Sequence, residues 1–175
     1  MLKAALIYGA ISGTIIITTM IVGMSFADDN GYSGGQIFGY AIMLVALTLV
    51  FIGVKRYRDQ ELGGVIKFGP AFGLGLAIAT VASFFYITGW EIHLAMTDYA
   101  FMDEYSKGLI AAKEKAGVTG AELQAYIAEV NKTMKQYGNP LFRLPMTFLE
   151  IFPVGLVVAL ASAGLLRNPK FLPAR

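Results

Sequence analysis

The sequence predicts an all-α protein: a four-transmembrane-helix bundle with an extracytoplasmic helical hairpin between the third and fourth spans. Three observations carry this reading. Of 175 residues, 56% are hydrophobic and only 15% are charged, with a mean hydropathy of +0.61, whereas a soluble domain carries about 25% charged residues. Four apolar stretches each approach the roughly 20 residues that a helix needs to cross a hydrocarbon core of about 30 Å. Period-two alternation is absent, so a membrane barrel, built from alternating strands of about ten residues, does not fit.

The first span runs from Ala4 to Phe26 and carries no charge. Lys3 ahead of an apolar run, and Ser25-Phe26-Ala27 after it, resemble a secretory signal. The run is longer than the 7 to 15 residue core of such signals, however, so it is read as an uncleaved span. The second span, Gln36 to Val54, and the third, Phe68 to Trp90, are also uncharged; the fourth, Pro145 to Leu166, holds Glu150 alone. All four belong to a single integral membrane domain over residues 1–175.

Lys and Arg in short loops are retained on the cytoplasmic side. Lys3, the loop holding Lys55, Arg56, Arg58 and Lys67, and the tail holding Arg167, Lys170 and Arg175 all fall on one side of a four-span topology. Both termini are therefore expected in the cytoplasm. The turn Asp28-Asp29-Asn30-Gly31 and the polar insert 98–139 fall on the other side.

The insert reads as two amphipathic helices. In the second, Leu123, Tyr126, Ile127, Val130, Met134 and Tyr137 recur at steps of three and four, which gathers them on one face. Thr119 and Glu122 have capping-box spacing, and Gly138-Asn139-Pro140 is a stop. Met102, Tyr105, Leu109 and Ala112 offer a facing stripe in the first. Such a hairpin either rests on the bundle or serves as a platform for a partner.

Helices in lipid associate through close van der Waals contact, which small residues permit. Ala71, Gly75, Ala79 and Ser83 repeat every fourth residue in the third span, as do Gly155, Ala159 and Ala163 in the fourth. Gly9 with Gly13, and Gly35 with Gly39, give shorter versions in the first two. These faces serve contacts within one chain or in a homodimer.

Candidate chemistry is sparse. Fourteen Lys and Arg against twelve Asp and Glu leave a net charge of +2, too balanced for a nucleic-acid binder that works by neutralising phosphates. With no Cys and one His, disulfides, thiolate sites and the usual zinc and haem ligand sets are excluded; neither a metal nor a cofactor is expected. Glu150 stands out, because a carboxylate inside a span costs about 2.5 to 3.5 kcal/mol on insertion scales. It is expected about five residues, or roughly 7.5 Å, inside its span, with Pro153 bending the helix behind it. Glu91 comes to a comparable depth, and a Glu91–Glu150 pair would suit a shared proton or cation. His93 lies two residues from Glu91, about 200° round the helix, which argues against a joint metal site. Trp90 is expected as an interfacial anchor. Lys55, Arg56, Arg58 and Lys67 are candidates for contact with anionic lipid headgroups; the loop lacks a phosphate-binding signature.

Tyr57-Arg58-Asp59, Gly63-Gly64, Ile66 to Gly69, Thr88 to Ile92, and Met146 to Gly155 together resemble a bacterial family of small four-span membrane proteins known as domain of unknown function 4199. The similarity spans nearly the whole chain and is most specific at Thr147 to Glu150 and Pro153 to Gly155. It implies the four-span topology with a polar insert and residence in a bacterial inner membrane, and it implies no activity. The resulting expectation is a non-catalytic partner or assembly factor for other membrane components. Small-solute or proton-coupled ion transport through Glu91 and Glu150, and lipid-directed enzymology at the outer leaflet, are the alternatives.

Overall fold

The computed structural model describes the backbone of residues 1–25 and 32–174, and the side chains of residues 1–24 and 39–174. All regular structure among these residues is α-helix: α1 (Leu2–Ser25), α2 (Tyr32–Glu61), α3 (Phe68–Met96), α4 (Ala100–Lys115), α5 (Gly120–Tyr137) and α6 (Pro140–Leu166). The turn expected at Asp28 to Gly31 and the packing contact expected at Gly35 lie outside the described residues and side chains.

Helices α1, α2, α3 and α6 are long and apolar enough to cross a membrane. They form a four-cornered bundle in the order α1, α3, α6, α2. Ser12 of α1 donates its hydroxyl to the Ala46 carbonyl of α2 at 2.5 Å, and Arg56 of α2 reaches the Tyr8 hydroxyl at 3.3 Å. Rising numbers in α1 thus meet falling numbers in α2, and the two run antiparallel. At one end of the bundle α1 and α3 begin while α2 and α6 stop. At the other, α3 hands over to α4 and α5, and α6 starts; this is called the insert end below.

The small-residue stripes of α3 and α6 face each other. A Cβ built on Gly155 would lie 2.7 Å from the Ala79 Cβ, and one on Gly75 would lie 3.0 Å from the Ala159 Cβ. Ala71, Ser83 and Ala163 are buried on the same two faces. Such contact distances leave room for hydrogen only, so the backbones approach more closely than larger side chains would allow. Gly9 and Gly13 serve the α1–α3 contact: a Cβ on Gly9 would meet Val81 at 2.5 Å, and one on Gly13 would collide with the Ala82 carbonyl. Gly39 is different. A Cβ there would meet nothing within 4 Å among the described residues, so it marks no close approach to them.

Two elements differ from expectation at their ends. Thr119 occupies the N-cap of α5 without a side-chain capping bond, so the predicted capping box does not close. Gly120, the next residue, has φ +66°, which turns the first amides away from the threonine. Helix α6 starts at Pro140 rather than near Pro145, because the Asn139 side chain accepts from the Leu141 N–H at 3.0 Å and Pro140 sits at the first helical position, where its missing N–H costs nothing.

Helices α4 and α5 touch each other, with the Lys113 ammonium 5.3 Å from the centre of the Tyr126 ring. The corner from α3 into α4 uses Asp98 (φ 47°) and Tyr99 (φ 61°), two successive non-glycine residues in the left-handed region. Such a corner is held only where neighbours define it.

Candidate functional site

The densest polar cluster of the described residues lies at the insert end and centres on Arg143, in the first turn and a half of α6. Arg143 is 1% exposed. Its Nε donates to Glu91 Oε1 at 2.6 Å and its Nη2 to Glu91 Oε2 at 2.5 Å, the bidentate fork that suits guanidinium to carboxylate. Its Nη1 donates to the carbonyls of Tyr137 and Gly138 at 3.1 and 3.4 Å. Those carbonyls end α5 and have no acceptor role within their own helix. One side chain of α6 therefore pairs with α3 and caps α5. The rings of Tyr99 and Tyr137 lie 5.4 and 5.9 Å from the guanidinium carbon, so the strained corner into α4 also closes on Arg143.

A second chain of contacts runs beside the first. Trp90 donates its indole N–H to the Tyr137 hydroxyl at 2.9 Å, and that hydroxyl lies 3.5 Å from Thr147 Oγ1. The Thr147 hydroxyl donates to the Arg143 carbonyl at 3.0 Å. Phe101 of α4 stands edge-on against Trp90 with centroids 4.8 Å apart. Trp90 is 5% exposed: it is a buried post under α4 and α5 rather than an anchor among lipid headgroups. Burial pushes the Tyr137 phenol above its ordinary value; bonds from Thr147 and Trp90 and the nearby guanidinium pull the other way without cancelling it.

Glu150 is held separately. The Tyr86 hydroxyl, from a side chain 2% exposed, lies 3.4 Å from Glu150 Oε2 and 3.3 Å from the Met20 sulfur. Helices α1, α3 and α6 meet at this hydroxyl. Because α6 begins at Pro140, Glu150 is ten residues, or about 15 Å, from the helix start, and it is exposed on the surface of the bundle. The pair considered between Glu91 and Glu150 is not made: each carboxylate has its own partner. His93 packs its ring beside Trp90, centroids 5.5 Å apart, while Glu91 faces Arg143. Among the described residues no three His, Asp or Glu side chains converge as metal ligands.

The family model for "Protein of unknown function (DUF4199)" matches residues 6–168. The chain belongs to this family. The match covers every residue of the cluster just described, so the arginine clamp is built within the DUF4199 region. No curated protein matches the chain, and no solved structure does.

At the opposite end, the DUF4199 chain buries a second arginine. Arg58 is 0% exposed. Its Nε donates to Asp59 at 2.7 Å, its Nη1 to the Phe171 carbonyl at 3.0 Å and the Leu166 carbonyl at 3.5 Å, and its Nη2 to the Leu172 carbonyl. Lys55 pairs with Asp59 at 2.6 Å. Arg58 thus ties the end of α6 and the tail beyond it to α2. This corrects its expected place among headgroup contacts: a guanidinium with no exposed surface and four protein acceptors is not open to lipid. Arg56 and Lys67 are exposed and remain available.

The sequence reading assigned no role to Arg143 or Tyr86, and took Tyr137 only as part of an apolar stripe and Thr147 only as part of the family resemblance. A signal for Arg143 was present. Asn139-Pro140 is a strong helix start, and a helix begun there places Arg143, Thr147, Ile151 and Gly155 at four-residue steps on one face, the face that is buried.

Proposed function

We propose that this DUF4199 protein is a bacterial inner-membrane protein with four spans and cytoplasmic termini. In this reading it acts without catalysis, holding α4 and α5 outside the lipid as a hairpin platform for another membrane component. The observation that supports this is Arg143, whose single guanidinium joins α3, α5 and α6. Buried ion pairs add little net stability but fix which groups meet, and here they fix the base of the hairpin. A photo-crosslinking residue placed at Lys107 or Gln124, both exposed, should give a discrete protein adduct in native membranes. The same residue at Val157, on the lipid side, should not. Adducts only at Val157, or none at all, would sink the platform reading.

A second reading draws on Tyr86. Its hydroxyl joins Met20 and Glu150, and a carboxylate within a long apolar helix suits proton or cation movement. Proteoliposomes decide between the two. A proton-dependent flux abolished by Glu150→Gln, with folding intact, favours transport; no flux in the wild type removes it.

A further inference from the structure

The last turn of α5 and the first turn of α6 enclose an open cavity of about 550 Å³, lined by Lys132, Lys135, Gln136, Asn139 and Phe142. No acidic residue lines it. Lys132 and Lys135 stand three residues apart on the exposed side of α5, where helical neighbours of like charge repel. Among the described residues neither enters an ion pair; Glu129, three residues before Lys132, makes none with it. The Asn139 side-chain oxygen accepts from the Leu141 N–H, and its side-chain NH2 adds a donor. The rim therefore offers two ammonium groups and an amide donor, with no carboxylate to satisfy them.

The floor of the cavity is apolar and leads into the membrane-crossing part of α6. Phe142 is followed at steps of three, four and seven by Met146, Leu149, Pro153 and Leu160, the last four all exposed. These residues form one stripe on the outer face of the helix. The positive rim thus stands where α6 passes from the polar insert into its apolar stretch. Lysines on this side also run against the expected charge asymmetry of short loops, so topology does not explain them.

We infer that this cavity binds the phosphate headgroup of an anionic phospholipid, with Lys132 and Lys135 on the phosphate and an acyl chain along the Phe142–Met146–Leu149 stripe. Charge complementarity selects an anion. The continuous apolar stripe selects a lipid over free phosphate. The inference rests on the membrane placement of the four long helices, and not on there being a protein partner.

The test uses the full chain, purified in detergent and placed in nanodiscs of defined composition, with no partner present. Native mass spectrometry would measure retention of phosphatidylglycerol against phosphatidylcholine for the wild type, for Lys132→Gln/Lys135→Gln, and for Lys107→Gln on the exposed side of α4. The wild type and Lys107→Gln should prefer phosphatidylglycerol, and the double variant should lose that preference by about tenfold or more. No preference in the wild type, or a preference unchanged in the double variant, overturns the site. Displacement of the lipid by millimolar inorganic phosphate alone overturns the lipid as its occupant. A failure to find crosslinked partners leaves this measurement untouched, so the two readings fail separately.

Discussion

Arg143 and Glu91 meet through two parallel hydrogen bonds of 2.6 and 2.5 Å across α3 and α6, with the arginine 1% and the glutamate 27% exposed. The pair satisfies a cation that has almost no access to solvent, and the third guanidinium nitrogen carries the clamp on to α5. Removing one partner leaves the other charge unmatched. Glu91→Ala should therefore destabilise the protein by about 3 kcal/mol, read as a fall in the thermal unfolding midpoint in detergent. Replacing both groups, Glu91→Leu with Arg143→Met, should recover at least half of that loss, since an apolar pair leaves no unpaired charge. A double variant as unstable as the sum of the singles would show that the two side chains act independently.

Arg58 predicts a local effect at the other end. Arg58→Met takes the donors from the Leu166, Phe171 and Leu172 carbonyls, and an unsatisfied group costs about 1 to 3 kcal/mol where it is buried, as at Leu166. The tail can escape this cost by detaching. Carboxypeptidase should then trim the residues after Leu166 faster than in the wild type, and Arg58→Lys should not restore protection, because an ammonium lacks the planar fork.

The helix contacts predict opposite outcomes for two glycine substitutions. Gly13→Ala drives a methyl group into the Ala82 carbonyl and should cost about 1 to 3 kcal/mol, the usual range for overpacking. Gly73 has nothing within 4 Å of a built Cβ, and Gly73→Ala should be neutral or stabilising by up to about 1 kcal/mol, since alanine is the better helix former. Detergent unfolding midpoints of the two variants check both signs.

Tyr137 gives a prediction in pH. Its phenol titrates above its ordinary value of 10.0, chiefly through burial. The folded state thus holds this proton more tightly than the unfolded state, and the associated stability is fully present below pH 10. It declines as pH rises from there through the folded-state value. Tyr137→Phe should flatten that alkaline decline. It should also remove a tyrosinate signal that appears above pH 10, measured by ultraviolet absorbance.

Four apolar lengths, an amphipathic α5 stripe and two small-residue stripes were legible because each is a repeat along one chain. The facing of Gly155 on Ala79 follows from such repeats once α3 and α6 are neighbours. The polar partners were not legible in the same way. Glu150 drew attention as a charge in an apolar window, while Arg143 fell two residues outside a window taken to begin at Pro145. Its role depends on a helix start set by Asn139 and Pro140. Arg58 looked like any basic loop residue, because nothing local to it reveals that the Phe171 and Leu172 carbonyls fold back onto it.

Length, apolarity and spacing in this sequence settle that the chain is helical, that four of its helices are long enough to cross a membrane, and which faces are small enough to meet. Those are properties of one helix at a time, governed by a 1.5 Å rise and a 3.6-residue turn. Tertiary structure alone decided that Glu91 takes Arg143, that Glu150 takes Tyr86, and that Arg58 closes on the tail. Pairing between charges is set by the rotation and register of one helix against another, and a shift of one residue turns a side chain by about 100°.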